Sequence, residues 1–398
     1  MAAAQALAAG AISVSALLLA VSHLLSTSTF DLLAWTAVSW LVVRVLRGTA
    51  DQRWWLLVGL VAGVGLLNKS LLVFLLAGLF VGVIIAGPRK AVLSRWLWLG
   101  AGLAFVIWLP NLIWQSQHGW PQLQLSRQIA SGSSGTSQPA ALFVPFQLVL
   151  ISPALVPVWA AGLVRLIRDP GLVRVRAFAV AYALLTLVFL LTGGKPYYLG
   201  GLYPVLLAAG APPTVRWLGR GRRRLRRSAL VAALALSAVV DTALMLPVVP
   251  VQVLHATPIV AVNYDAGETV GWPRFVATVA GVYKALPPAE RRQAVLLTEN
   301  YGEAGALDHF GPALGLPPAF SGHNGYGEWG PPRSSGGPVI AVGIDRRRLE
   351  QLFGSVQASA RIDNGVHLDN DEQGTTVWIC RDQRRPWSQA WAGLRHLG

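Results

Sequence analysis

Residues 190–210 read LLTGGKPYYLGGLYPVLLAAG, two apolar stretches with one lysine, Lys195, and a tyrosine pair, Tyr197 and Tyr198, held between them. Gly193 and Gly194 let backbone approach a ligand, and Pro196 limits continuation of a helix, so the lysine sits at a helix end. Two readings of Lys195 stand side by side. Its ammonium can hold a phosphate arriving from the lipid phase, with Tyr197 and Tyr198 at headgroup depth. Alternatively, lysine and tyrosines anchor the helix end at the interface by snorkelling.

The apolar setting extends well beyond this run. Of 398 residues, 54% are hydrophobic and 13% charged, where a soluble chain carries about 25% charged residues. Such a composition indicates a membrane protein. The charges are unevenly divided: residues 1–249 hold 20 Lys or Arg against Asp31, Asp51, Asp169 and Asp241, whereas residues 250–398 hold 13 basic and 14 acidic residues. We therefore expect a membrane domain over 1–249 and a second domain over 250–398. The net charge of +15 lies in short clusters between apolar segments (44–47, 88–90, 165–176, 216–227), which reads as membrane orientation and not as a nucleic-acid surface. Cys380 is the only cysteine, which excludes an intramolecular disulfide and makes a cysteine-based metal cluster implausible.

Apolar segments at 3–24, 31–46, 54–67, 70–87, 96–113, 142–164, 177–193, 198–215 and 228–249 predict about nine spans. The pair 54–67 and 70–87, broken at Asn68, Lys69 and Ser70, also suits an interrupted or re-entrant element whose polar turn lines a cavity. With Arg44, Arg47 and Arg53 in the cytoplasm, alternation puts every basic cluster on that face and the turns 25–30, 68–70, 114–141 and 193–197 outside. The expectation is a multi-pass cell-membrane protein with a cytoplasmic N-terminus and an extracytoplasmic domain over 250–398. Residues 1–24 lack a basic stretch before their apolar run, so they read as an internal helix and not a cleaved signal peptide. Further spans before it are compatible with this reading. Loop 114–141 carries an amphipathic stretch with Trp120, Leu123, Leu125 and Ile129, followed by a Ser/Gly-rich turn; it reads as a surface element over a lipid substrate or as a passive linker.

Residues 250–398 follow soluble-domain patterning. Helical spacing over 271–286 ends at Pro287 and Pro288. AVLLTEN (294–300), PVIAVGI (338–344), VQASARI (356–362) and TTVWICR (375–381) read as strands, and GEAGALDHF as a helix. A small α/β domain beside the outer mouth of the membrane part is expected. Its loops TENYGEAG and SGHNGYGEWGPP offer Glu299, Asn300, Tyr301, His323, Asn324 and Tyr326, groups that bind carbohydrate or simply form turns over the sheet.

Lys69 is the second lysine in an outer turn, and the chain has only four lysines against 29 arginines. Neither Lys69 nor Lys195 serves the cytoplasmic charge bias, which favours phosphate contact. Asp31 is the one acid near the outer membrane layer before residue 250. It suits a helix N-terminus, a base or a divalent-metal ligand. His118, with His23, Trp35, Trp108 and Trp120, adds polar and aromatic surface to the same layer.

Three separated segments, GLLNKSLLVFLLAGLFVG (65–82), WLPNLIWQSQHGWP (108–121) and GGKPYYLGGLYPVLLAAGA (193–211), together resemble the C-type membrane glycosyltransferases of family 39. That family includes protein O-mannosyltransferases and the lipid A aminoarabinose transferase. The resemblance implies a polytopic all-α fold and transfer of a sugar from a polyprenyl-phosphate donor to an extracytoplasmic lipid, glycan or protein. It matches Lys69 to the lysine of the family's L-x-K turn and Lys195 to the lysine near the donor phosphate. It matches Asp31, after STSTF, to the acid following the family's third helix. His118, Tyr197 and Tyr198 are candidate substrate contacts from their place in the outer layer; no cofactor is firmly implied, and a divalent metal is an open question. The first helix here resembles the family's third, so the family's acid in its first outer loop has no counterpart. That implies an N-terminal loss or impaired activity. A transporter or flippase for a lipid-linked or phosphorylated substrate, and a non-catalytic membrane assembly protein, are the competing readings.

Overall fold

The structure is a computed structural model that describes residues 2–131, 139–333 and 336–397. Most of the Ser/Gly-rich turn after Ile129 falls on 132–138, outside the described residues. The chain divides into two compact units, Met1–Val248 and Val249–Gly398.

The first unit is helical. It contains α1 (Ala2–Ser13), α2 (Ala16–Ser22), α3 (Thr27–Leu46), α4 (Trp54–Asn68), α5 (Leu72–Ala86), α6 (Arg95–Gln117), α7 (Pro121–Ala130), α8 (Phe143–Ile151), α9 (Val156–Arg168), α10 (Ala177–Leu191), α11 (Tyr203–Leu218) and α12 (Arg223–Met245). Among the described residues α3, α6 and α12 are each long and apolar enough to cross a membrane, and two bent stretches qualify as pairs, one being α1 with α2 (59°) and the other Ala140–Ile151 with Pro153–Arg168 (82°). The apolar helices α4, α5 and α10 have 15 residues each, which gives about 22 Å of rise against a hydrocarbon core of about 30 Å.

Small residues bring these helices together. Without a hydrophobic driving force between helices in lipid, close backbone contact must supply the attraction, and side chains on the interface must be small. Gly59 and Gly63 of α4 lie against Gly100 and Ala104 of α6, Gly78 and Gly82 of α5 against α10, and Gly162 of α9 against Gly210 of α11. The polar break at 68–70 therefore joins two helices with different partners, since α4 packs on α6 and α3 while α5 packs on α10. The segment expected as a helix from 198 begins with a 3-10 stretch, Pro196–Leu202, and becomes α-helical only at Tyr203. Gly200 and Gly201 explain the difference, because they press against Leu17 and against the Trp35 ring, a contact that any side chain would block.

Connections at one end of this unit are basic. Arg174 Nη1 donates to the Arg47 carbonyl at 3.2 Å, and Lys90 and Arg174 line one surface hollow with Gly48 and Gln52. At the other end Asn68 Nδ2 donates to the Thr27 carbonyl at 2.9 Å and Ser70 Oγ donates to Gln122 of α7. Gly193, with φ +68°, packs against Ala130 at the far end of α7. Helix α7 thus ties the Lys69 turn to the Lys195 turn.

The second unit opens with three short helices, α13 (Val251–Leu254), α14 (Ile259–Val262) and α15 (Tyr264–Glu268). It continues with α16 (Trp272–Ala285), α17 (Pro288–Arg291), β1 (Val295–Thr298), α18 (Tyr301–Phe310), β2 (Ala319–Ser321), α19 (Asn324–Glu328), β3 (Val339–Val342), α20 (Arg346–Leu352), β4 (Phe353–Arg361), β5 (Thr376–Gln383) and α21 (Trp387–Leu394). The sheet order is β2-β1-β3-β5-β4, with β2, β1 and β3 parallel and β5 antiparallel to both β3 and β4. Strand β2, only 3 residues long, was too short to register as a periodic run. VLLT and VIAV are buried throughout because both faces of the sheet are covered. Phe275, Val276 and Val279 pack with Leu296 and Ile340 on one side, and Leu349, Trp387 and Trp391 with Leu297 and Ala341 on the other.

Helix α18 starts with a capping box in which Asn300 Oδ1 accepts from the Glu303 N–H at 2.8 Å and Glu303 Oε2 accepts from the Asn300 N–H at 3.1 Å. Burial pushes the Glu303 carboxyl up from 4.5 to about 7, and burial followed by repulsion from neighbouring carboxylates does the same for Glu268 and Glu372. An acid whose pKa is higher folded than unfolded binds its proton more tightly in the native state. Stability from these groups is therefore full below about pH 4.5 and declines as pH rises through about 7. Calorimetry of the full chain should show the melting temperature of the second unit falling across that window, and Glu303→Gln, which keeps the acceptor for Asn300, should reduce the slope. An unchanged slope in the variant would remove Glu303 from this effect.

Candidate active site at the lysine and tyrosine turns

Four of the residues singled out in the sequence meet in the first unit. Asp31, one turn into α3, is buried, and Trp35 Nε1, one turn further along, donates to its Oδ1 at 3.1 Å. Lys69 follows the last residue of α4 and is half-buried. Its Nζ donates to Ser28 Oγ at 3.1 Å and stands 5.4 Å from the Tyr197 ring centre and 5.5 Å from that of Tyr198, a cation–π arrangement. Asp31 and Lys69 also attract each other electrostatically. Together with Leu17, Val21, Ser28, Leu32, Trp35 and Gly201 these side chains line a cavity of about 20 Å³, room for about one water molecule. A sugar or phosphate does not fit inside it, so a substrate would sit at its mouth.

The assembly follows from local sequence. Thr29 Oγ1 shares its one proton between the Val21 and Leu24 carbonyls, 2.8 and 2.7 Å away, which folds the 23–26 turn onto the start of α3. The Gly200–Gly201 pair lets the 3-10 stretch lie flat on Trp35. That places Tyr197 and Tyr198, edge to face at 5.0 Å, beside Lys69.

Lys195 is half-buried at the N-terminal cap of the same 3-10 stretch, and its carbonyl accepts from the Tyr198 N–H at 3.1 Å. It does not line the small cavity. His118, at the end of α6, is exposed, stacks on Trp114 at 4.2 Å and bonds the Trp114 carbonyl. It too stands outside the cavity lining.

In the second unit the named residues separate into two sets. Asn300 is occupied as a helix cap, and Tyr326 donates to Asp308 Oδ2 at 2.8 Å; both hold the fold. Asn324, at φ +50°, donates its backbone N–H to the His396 carbonyl at 2.9 Å. Glu299, Tyr301 and His323 gather at the C-terminal end of β1, where parallel sheets favour ligands. There Arg348 Nη1 donates to Glu299 Oε1 at 2.9 Å, the Tyr301 ring lies 4.9 Å from that of His323, and His323 stacks on His396 at 4.6 Å. Arg348 and His396 carry no local motif, and only the fold reveals them.

Another omission is Asp241. It is buried in α12 and accepts from Ser152 Oγ, whose residue stands at φ +84° in the break between α8 and α9. Ser152 Oγ also accepts from the Ala16 N–H at 3.3 Å, so the two helix breaks meet at the Ser152 hydroxyl, which in turn bonds the carboxylate. An acid inside an apolar helix was the signal available in sequence. Among the described residues no three His, Cys, Asp or Glu side chains are grouped to hold a metal ion.

The segment that carries Asp31 and Lys69 is similar to a known family. Residues 2–114 match the model of the dolichyl-phosphate-mannose-protein mannosyltransferase family. The matched stretch contains the whole 65–82 run and stops within the 108–121 run, while Lys195, Tyr197 and Tyr198 lie beyond it. Neither the comparison with curated proteins nor that with solved structures gives a match.

Proposed function

We propose that the membrane unit transfers a sugar from a polyprenyl-phosphate donor to an acceptor hydroxyl outside the cytoplasm. The observation that carries this reading is the meeting of Lys69, Asp31 and the tyrosine pair at one cavity, with the lysine and the acid inside the mannosyltransferase-family segment. In the reaction the acceptor oxygen bonds to the anomeric carbon as the bond from that carbon to the donor phosphate breaks. Lys69, with Lys195 on the adjoining turn, stabilises the charge that grows on the departing phosphate. Asp31, held by Trp35, takes the acceptor's proton. Tyr197 and Tyr198 flank the Lys69 ammonium and offer aromatic faces to the sugar. In the second unit, Tyr301, His323 and Glu299 are proposed as a carbohydrate contact of that unit.

Membranes carrying the protein, incubated with labelled polyprenyl-phosphate sugars, should move label into an acceptor fraction. Lys195→Ala should lower that transfer by about tenfold or more, as loss of one charge-stabilising contact does. Undiminished transfer in the variant would take Lys195 out of the mechanism. The two bent helix stretches also suit a transporter of a lipid-linked substrate; movement of intact donor across vesicles without label transfer would favour that reading.

A further inference from the structure

The end of the first unit away from the lysine and tyrosine turns holds a much larger cavity, about 760 Å³ in volume, between α1, α3, α9 and α11. That size lies in the range of small-molecule sites, about 300–1,000 Å³. Its origin is in the sequence. Helix α1 reads AAAQALAAGAIS and presents Ala4 and Ala8 toward Ala208 and Pro212 of α11, and side chains this small leave the space between the helices open. Trp40 and Val43 of α3 complete an apolar wall, while Arg47, Arg165 and Arg216 enter the lining from three different elements.

The three guanidinium groups differ in their engagement. Arg165 is held by Asp169 Oδ2 at 3.1 Å and by the Ala209 carbonyl at 3.1 Å, so it braces the wall. Arg47 and Arg216 are exposed, and among the described residues neither forms a salt bridge, although the field of Asp169 reaches Arg216. Apolar walls with two exposed arginines outside any salt bridge among the described residues fit an amphiphile with an anionic head. A free phosphate would leave the walls unused, and a zwitterionic lipid would gain little from the arginines.

We infer that this cavity binds one anionic phospholipid, with an acyl chain along the alanine-lined wall and the headgroup phosphate on Arg47 and Arg216. The site is separate from the one proposed for sugar transfer and does not rest on that reading.

The test uses the full-length protein, delipidated in a neutral detergent, with bound lipid read by native mass spectrometry. The probes are phosphatidylglycerol, phosphatidylcholine with the same chains, and inorganic phosphate. Phosphatidylglycerol should bind about thirtyfold more tightly than phosphatidylcholine, the preference expected from two arginines at an anionic headgroup. Arg47→Gln with Arg216→Gln should erase the preference, and Arg47→Lys with Arg216→Lys should keep it. Ala208→Trp, which puts a bulky ring on the alanine-lined wall where the acyl chain would lie and leaves every charge in place, should also lose the lipid. Arg223→Gln with Arg224→Gln, on exposed positions at the start of α12, should retain it. Equal binding of the two lipids, displacement by inorganic phosphate, retention by Ala208→Trp, or equal loss from the Arg223/Arg224 variant would overturn the proposal.

Discussion

Asp31→Asn is expected to lower the rate of sugar transfer by about 10²–10⁴-fold, the range over which a positioned general base contributes. The amide keeps the size of the carboxylate and still accepts from Trp35 Nε1, so the cavity wall should persist. Because Asp31 is assigned to the proton and not to the donor, the loss should fall on kcat with KM for the donor little changed. Lys69→Met removes the cation between the tyrosines and the acid, so it should lower kcat/KM by about 10²–10³-fold, as deletion of a charge-stabilising donor does. Trp35→Phe is the positioning control. It keeps the ring against Gly201 and removes one hydrogen bond, so its effect should be far smaller and fall on kcat alone. Full activity in Asp31→Asn would dismiss the acid from the reaction, whatever Lys69→Met does.

The second large effect concerns packing. Gly162 and Gly210 face each other where α9 crosses α11, and a Cβ on either would lie within 2 Å of backbone, 1.8 Å from the Leu206 carbonyl oxygen for Gly162 and 1.9 Å from that of Val158 for Gly210. No rotamer relieves a clash with backbone, so the helices must separate. Gly210→Val should therefore destabilise the membrane unit by about 3 kcal/mol or more, read from reversible unfolding in mixed micelles. Gly102→Val on α6, where nothing lies within 4 Å, should cost less than about 1 kcal/mol. Equal losses in the two variants would mean that helix propensity, and not the crossing, sets the cost.

The apolar helices and the short sheet of the second unit were readable because both follow from local patterning. A long apolar run must close its own backbone hydrogen bonds in lipid, which forces a helix wherever the run occurs. VLLT and VIAV, short apolar runs bounded by turn residues, read as buried strands. What escaped was short or non-local. Strand β2 spans Ala319–Ser321 and has no period to detect. The bends at Ser15 and Ser152 interrupt runs that hydropathy reads as continuous. His396 and Arg348 join Glu299 and His323 only after the chain has returned to the end of β1.

Composition and periodicity by themselves determined that the first part of this chain is helical and apolar and that the second carries a small sheet, because each of those features is settled within a few turns of helix or one strand. Only tertiary structure decided that Asp31, Lys69, Tyr197 and Tyr198 share a cavity and that Lys195, two residues away from the pair, does not line it. The physical reason is the fit of Gly200 and Gly201 against Leu17 and Trp35. A contact between segments over 150 residues apart depends on the shapes of both partners, and no local pattern in either segment encodes it.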